Sequence, residues 1–450
     1  MATILKRGLS PPTEGLFGHL PAFMRDPLGF LTDCSRNHRG VVPLRMLHQP
    51  VFLLLDPADI ERVLVTDHRS FIKPAWLRTP AVQRLLGDGL VTSEGEAWRR
   101  QRHACQPAFQ LRRMERYGEA ISTLAEHTLK HWEPGQTIDL LHEMALLTLE
   151  IVGRVLFAID AKDWTTEAAA AMDILMARFT AGRSLFGMIS WPPGPQEIRA
   201  TRRMNSVVDH LIHLHKESRD LRSIGTDEID LLSMFRSSEH NGGERFSGRL
   251  LREQVKTFLT AGHESSALAL TWAFLLLSRH PNVDSVLAAE LETVLCGRPP
   301  IPEDLPNLPY TQAIVQEALR LYPPLWMTGR ESAKSCEIGE VSVPAGAIVM
   351  TSQWAVQRLP HIFPCPDDFL PERWLGAETK DLPRCAYFPF GAGPRVCIAQ
   401  SFAMLETTLL LAAISQRFRL EHVPGAEIRP CATMTLRPPL GVQVRLCTRK

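Results

Sequence analysis

One of the chain's nine cysteines stands in a setting that invites chemistry. From Phe388 to Ala399 the sequence reads FPFGAGPRVCIA. Gly391 and Gly393 permit backbone conformations with positive φ, so the segment can bend tightly beneath a flat ligand. Cys397 directly precedes an apolar helical run, whose free N–H groups and dipole favour thiolate over thiol. Arg395, two residues earlier, can hold a carboxylate, and Phe390 can screen the sulfur from water. The other cysteines need no explanation beyond packing. No two form a CxxC pair, which argues against a structural zinc site or a thioredoxin-type centre. Their odd number and irregular spacing, without an export signal, point to reduced thiols.

Three further groupings catch the eye. Glu317 and Arg320 stand three apart on a predicted helix and therefore share a face. Within AGHESS, Gly262 weakens a long helix locally, and Ser265 can bond back to the Ala261 carbonyl. Together these could open a groove or a bend. Flanking Phe258, Leu259, Leu268 and Leu270 are apolar, so Glu264 and Ser265 do not belong to an exposed polar face. Arg99, Arg100, Arg112, Arg113 and Arg116 gather around Trp98 and Arg102. They read either as a solvated basic face or as a docking patch for an acidic partner.

The elements that must position these residues are mostly helical. Apolar spacing of three and four predicts helix over most of Trp98 to Leu295, with loops at Gly182–Pro195 and Ser237–Gly248. A helix over Arg249–His280, apolar on nearly all sides in its second half, reads as one that runs through the middle of a large fold. Further helices are expected over Asn282–Leu295, Tyr310–Leu321 (stopped by Pro323 and Pro324) and Ala399–Ser415. Val41–Leu55 reads as a β-hairpin turning near Gln49-Pro50, followed by Asp56 as N-cap with Pro57 at the first helical position. Short strands are expected within Glu337–Met350, with a VPAG turn, and around Leu436–Leu446, with a turn at Pro438-Pro439. No repeat, low-complexity tract or linker divides residues 1–450. The fold class expected is mainly α with small β-sheets, in one domain.

In the cysteine turn the resemblance is plain. It resembles the signature Phe-x-x-Gly-x-Arg-x-Cys-x-Gly of the cytochrome P-450 superfamily, met by Phe390, Gly393, Arg395 and Cys397, with Ala399 in place of the last Gly. The family's other motifs follow in order, from about Pro11 to Leu446. The resemblance implies a haem b whose iron takes the Cys397 thiolate as axial ligand, in a single-domain fold with the long helix over the haem. It implies that Glu317 and Arg320 (Glu-x-x-Arg) are completed by Arg373 of PERW, locking the cysteine-loop face through charge-assisted bonds. It implies haem-propionate contacts from Trp98 and Arg102 (WxxxR), from Arg330 after LYPPLWMTG, and from Arg395, with Ala261, Gly391 and Ala399 also at the cofactor. Glu264 and Ser265 match the acid–alcohol pair that delivers protons for O–O cleavage; Ser where Thr is commoner removes a methyl that fixes the rotamer. The thiolate's electron push favours that cleavage.

Substrate-contact segments of the family map onto Trp76, Phe186, Trp191, Trp326 and Met434, an apolar lining suited to a hydrophobic small molecule: fatty acid, terpenoid, steroid or polyketide. No Rossmann or flavin-binding segment remains, so electrons are expected from a ferredoxin or flavodoxin with its reductase. A peroxide-driven or rearranging haem-thiolate enzyme is the alternative, although such enzymes often lack the acid–alcohol pair. A non-catalytic haem sensor ranks last. The net charge of +1, from 50 basic and 49 acidic residues, gives no field that would draw nucleic acid or an anionic membrane. No secretory h-region and no apolar run of about 20 residues is present. A cytoplasmic monomer without a membrane anchor is the expectation.

Overall fold

In a computed structural model of the chain, the structure describes residues 10–160, 164–179, 192–221, 230–237, 247–376, 379, 381–423, 428–438 and 441–449. The expected loops at 182–195 and 237–248 fall largely outside them. Apolar periodicity becomes helix in α1 (Pro80–Leu86), α2 (Gly95–Cys105), α3 (Leu140–Phe157), α4 (Trp164–Met176), α5 (Pro195–Leu221), α6 (Gly248–Arg279), α7 (Pro309–Leu321) and α8 (Gln400–Arg417). The 32-residue α6 begins at Ser247, whose side chain accepts from the Leu250 amide, and stops before Pro281. From Val255 to Leu277 it is buried almost throughout, because α1, α3, α7 and α8 pack around it.

Gly262 does not interrupt this helix, contrary to the local weakening its sequence suggests. A Cβ there would come within 3.1 Å of Val152 on α3, so the glycine serves close helix packing.

Strands β1 (Val41–Met46) and β2 (Gln49–Leu54) form the expected hairpin. Its turn is Leu47–His48, with Leu47 at φ 56°, not Gln49-Pro50, since Gln49 and Pro50 pair with Met46 and Arg45. With β3 (Phe71–Ile72), β4 (Thr328–Ser332) and β5 (Ile348–Thr351) they make one sheet, ordered β1-β2-β5-β4-β3, in which β2 and β5 run parallel. Cys336–Ile338 and Val341–Val343 pair as a separate small hairpin. The C-terminal strands are not one hairpin either. β6 (Cys431–Ala432) pairs with β7 (Leu436–Arg437), while Gln443–Thr448 joins Thr137–Asp139 and Phe418–His422. No helix among the described residues is long and apolar enough to cross a membrane.

Candidate active site

The cysteine turn is held from several sides. Gln357 accepts the Phe388 amide at 3.0 Å and donates to the carbonyls of Leu319 and Arg320, at the end of α7, at 3.1 and 3.0 Å. Within the turn, Gly391 N–H donates to Phe388, Val396 N–H to Gly393 and Cys397 N–H to Phe390. Gly391 and Gly393 have φ of 73° and 70°. At Gly393 a Cβ would lie 2.0 Å from the Leu64 carbonyl oxygen, so only glycine fits. Arg102 Nη1 donates to the Val396 carbonyl at 2.7 Å.

Cys397 is accessible, yet protein encloses it. Burial pushes its thiol up; the Ala399 amide at the start of α8 and the Arg102 guanidinium pull the other way without prevailing. The amide at the helix start favours the thiolate, as the sequence suggests, but burial outweighs it.

A second opening lies on α6. Ala261 is exposed and Gly262 and Ser265 are half-buried in a helix otherwise shut away. Ser265 Oγ donates to the Ala261 carbonyl at 2.8 Å, as its spacing predicts. The two openings are joined by α8, which starts three residues past Cys397 and meets α6 where the Ser266 hydroxyl donates to Glu406. That is roughly 9 Å along α8 from Gln400. Glu406 is fully buried, its Oε1 has no hydrogen-bond partner among the described residues, and burial pushes its carboxyl up to about 8.

Glu264 does not stand beside Ser265 as an acid–alcohol pair. It is buried and turned to β7, where Thr435 Oγ1 donates to it at 2.8 Å and Arg437 Nε lies 2.9 Å away. Arg437 in turn reaches Asp173 on α4, at 2.9 Å.

Around Trp98 four cations converge. The Arg395 guanidinium lies 5.2 Å over the indole and Lys73 Nζ 5.9 Å from it. The buried Lys73 ammonium donates to the carbonyls of Leu90 and Ser93 at 2.9 and 2.8 Å, and is drawn down to about 7 by burial and by Arg395. Arg330, enclosed by protein and drawn down to about 10 by burial and Arg395, donates to the Gly329 carbonyl at 2.8 Å. Arg102 has the Val396 carbonyl. Carbonyl dipoles are therefore the partners of three of the four, in a place where burial disfavours charge. Two carboxylates of a ligand lying on the cysteine turn would satisfy that demand, which is what haem carries. Arg395 differs: Glu94 takes it in a two-pronged ion pair.

Glu317 lies at the centre of the motif expected to brace this face. Arg320 grips it through Nε and Nη2, both at 2.8 Å, and Arg373 Nε approaches to 3.2 Å. The Leu370 amide and Trp374 Nε1 add donors at 3.1 and 2.8 Å. Burial would raise the Glu317 carboxyl, but Arg320 and Arg373 hold it below the usual range. With side chains 0 % exposed for Glu317 and Arg320, this is a core strut rather than a surface pair.

Of the expected substrate contacts, Phe186 and Trp191 lie outside the described residues. Trp76 is half-buried beside Gly329, where a Cβ would meet its ring at 3.7 Å. Met434 is half-buried between β6 and β7. Trp326 does not line a pocket: it is 1 % exposed, stacked on Phe23 with centroids 6.4 Å apart, its Nε1 donating to the Thr433 carbonyl. Its neighbour Leu325, 49 % exposed, is the open side chain of that turn. Lys73, Glu94 and Glu406 were missed by sequence reasoning, because single charges without a motif spacing carry no signal.

An enclosed thiol just before a helix start, a long helix opened midway and a nest of cations short of carboxylates together suit a thiolate-ligated haem. The chain belongs to the cytochrome P450 family, whose profile matches residues 10–446. It is 36% identical to cyclooctatin synthase of Streptomyces melanosporofaciens over 434 residues, 95% of this chain and 93% of that one. It is 36% identical to cyclooctat-9-en-7-ol 5-monooxygenase of the same organism over 427 residues (94% and 91%). It is 34% identical to pentalenene oxygenase of Streptomyces avermitilis over 448 residues (98% and 97%). The protein is thus a cytochrome P450 monooxygenase, which binds haem through a cysteine thiolate and acts on a small molecule with electrons from redox partners.

Proposed function

We propose that this monooxygenase oxidises an alicyclic terpenoid, a hydrocarbon or one already bearing a single hydroxyl, with Cys397 as the residue that would hold the haem iron. The observation that carries the site assignment is the accessible yet enclosed Cys397 thiol, joined through α8 to the opening at Ala261 and Ser265. The substrate class rests on the relatives named for pentalenene and for a cyclooctatenol, and on an apolar surround of Trp76, Leu325 and Met434 that offers shape rather than charge. Electrons come from a ferredoxin or flavodoxin and its reductase, which meet the basic face around Arg99 and Arg112.

Haem, held by Cys397 as thiolate, would supply the oxygen-activating chemistry when bound. The chain's own groups orient and protonate. Lys73, Arg102 and Arg330, with Trp98, receive the propionates. Ser265 Oγ holds a proton at the polar point of an otherwise apolar wall, parked on the Ala261 carbonyl at 2.8 Å. Glu264, after turning away from Thr435, takes a proton from solvent and passes it to Ser265; until then Arg437, itself tied to Asp173 (53% exposed), holds that carboxylate in place. Apolar neighbours on α6 keep bulk water out.

The test is a reduced-minus-CO difference spectrum on the purified protein, then titration with cyclic terpene hydrocarbons, terpene alcohols, fatty acids and steroids, read as a spin-state shift. Terpenoids should give the shift, with hydroxylated product when reductase and ferredoxin are added. A colourless protein, or bands unchanged in Cys397→Ala, refutes the cofactor reading; a shift only with fatty acids or steroids refutes the substrate class.

A further inference from the structure

Between α1 and the start of α5 a guanidinium is enclosed without a counter-charge of its own. Arg84, on α1, has its Nη2 shut away from solvent with no hydrogen-bond partner among the described residues. The charges beside it are Arg178, in the short turn Ala177–Phe179 that follows α4, and Glu197, in the first turn of α5. Arg178 Nη1 already donates to Glu197 Oε2 at 2.6 Å, in a pair whose side chains are 11% and 20% exposed. Two guanidiniums therefore share one carboxylate. Burial and Arg178 draw Arg84 down from the ordinary arginine value, and Glu197 offsets them only in part. A buried donor in this state bears its desolvation cost until an acceptor reaches it. α1 lies directly on α6, where Thr257 Oγ1 donates to the Leu86 carbonyl at 2.5 Å and Thr260 Oγ1 to the Leu85 carbonyl at 3.1 Å. Thr260 immediately precedes Ala261, the exposed residue of the α6 opening. α1 thus borders that opening, and Arg84 is the charge it carries towards α4 and α5.

We propose, resting on the terpenoid reading above, that Arg84 is a specificity-determining residue whose unpartnered Nη2 donates to an oxygen the substrate already carries. Of the two substrate types that reading allows, the alcohol is then selected over the hydrocarbon. The step that supplies the substrate is accordingly an earlier hydroxylation or hydration of the ring system. A hydrocarbon leaves the guanidinium unsatisfied, and a site built to bond a hydroxyl rejects the analogue that lacks it. Because a guanidinium donates and cannot accept, a ketone serves this residue as well as an alcohol does.

The test titrates a cyclic terpene hydrocarbon, its alcohol and its ketone, all on one skeleton, into the haem-loaded protein and reads the spin-state shift. Alcohol and ketone should each bind roughly ten- to a hundredfold tighter than the hydrocarbon, the worth of a hydrogen bond to a charged group. Arg84→Met keeps the apolar stem and removes the donors, so both oxygenated ligands should weaken to the hydrocarbon's affinity. Arg84→Lys, a compact donor on a different stem, should show an intermediate preference, and it decides the matter should Arg84→Met not fold. The proposal is overturned by a wild type without the preference, by a ketone that binds like the hydrocarbon, or by a preference that survives both substitutions. Equal weakening of all three ligands overturns it too, and leaves Arg84 a strut of α1. In each of those cases the shift with terpenoids leaves the terpenoid reading standing. A haem-bearing wild type that answers to no terpenoid overturns that reading and this proposal with it.

Discussion

The two glycines of the cysteine turn give a matched experiment, because they share a backbone conformation and differ in surroundings. Gly391 and Gly393 have φ of 73° and 70°, so alanine at either should cost about 1–2 kcal/mol for the left-handed region. Beyond that they part. A Cβ on Gly391 meets nothing within 4 Å, whereas one on Gly393 falls 2.0 Å from the Leu64 carbonyl oxygen and 2.9 Å from its carbon. Real Cβ contacts are essentially never below 3.0 Å, so one of two backbones must move by 1 Å or more. The turn has little room to give, being fixed by Gln357 at Phe388 and by Arg102 at Val396. Gly391→Ala should therefore bind haem fully and melt a few degrees lower. Gly393→Ala should displace Cys397, losing most of its Soret absorbance per unit of protein and melting well below Gly391→Ala. Equal haem content and equal melting temperatures in the two variants would refute the reasoning.

Two other outcomes follow from the same interior. Glu406 carries a proton in the folded state up to about 8, against an ordinary value of 4.5, because burial disfavours its charge. Between those limits the folded chain binds more protons than the unfolded one, so this group's stabilising contribution is complete below about 4.5 and is lost as pH rises through 8. Glu406→Gln should abolish that loss, on the order of a few kcal/mol; parallel melting-temperature profiles for wild type and variant between pH 5 and 8 would exclude it. Ser265→Ala should lower product formed per electron and release more peroxide, and unchanged coupling would remove the hydroxyl from proton delivery.

What could be read from the chain without coordinates was what short spacing encodes. The cysteine turn, Glu317 with Arg320, the PERW segment and the Ser265-to-Ala261 bond are each local patterns, and each has the geometry its spacing implies. Trp326 was misjudged because its burial depends on Phe23, far away in sequence, which no periodicity near Pro323 and Pro324 reveals. Where the Glu264 carboxylate points was hidden for a like reason: adjacency to Ser265 fixes about 100° between side chains on a helix, and Thr435 and Arg437 decide where the carboxylate ends. Gly262 has the sequence of a helix breaker and the environment of a packing contact, set by Val152. The split of the C-terminal strands between two sheets likewise depends on partners at Thr137–Asp139 that the local alternation cannot name.

The ion pair between Arg395 and Glu94 spans 301 residues, and the bond from Arg102 to Val396 spans 294. At a synthesis rate of about 5–20 residues per second, the early half of the cradle waits roughly 15–60 s for the late half to leave the ribosome. During that interval Lys73, Arg102 and Glu94 lack the turn that encloses them, and parallel β2 and β5 are also incomplete. Cofactor capture is therefore an event of the finished polypeptide, and a truncation anywhere before Cys397 yields a chain with a charged, unclosed interior rather than a weaker enzyme.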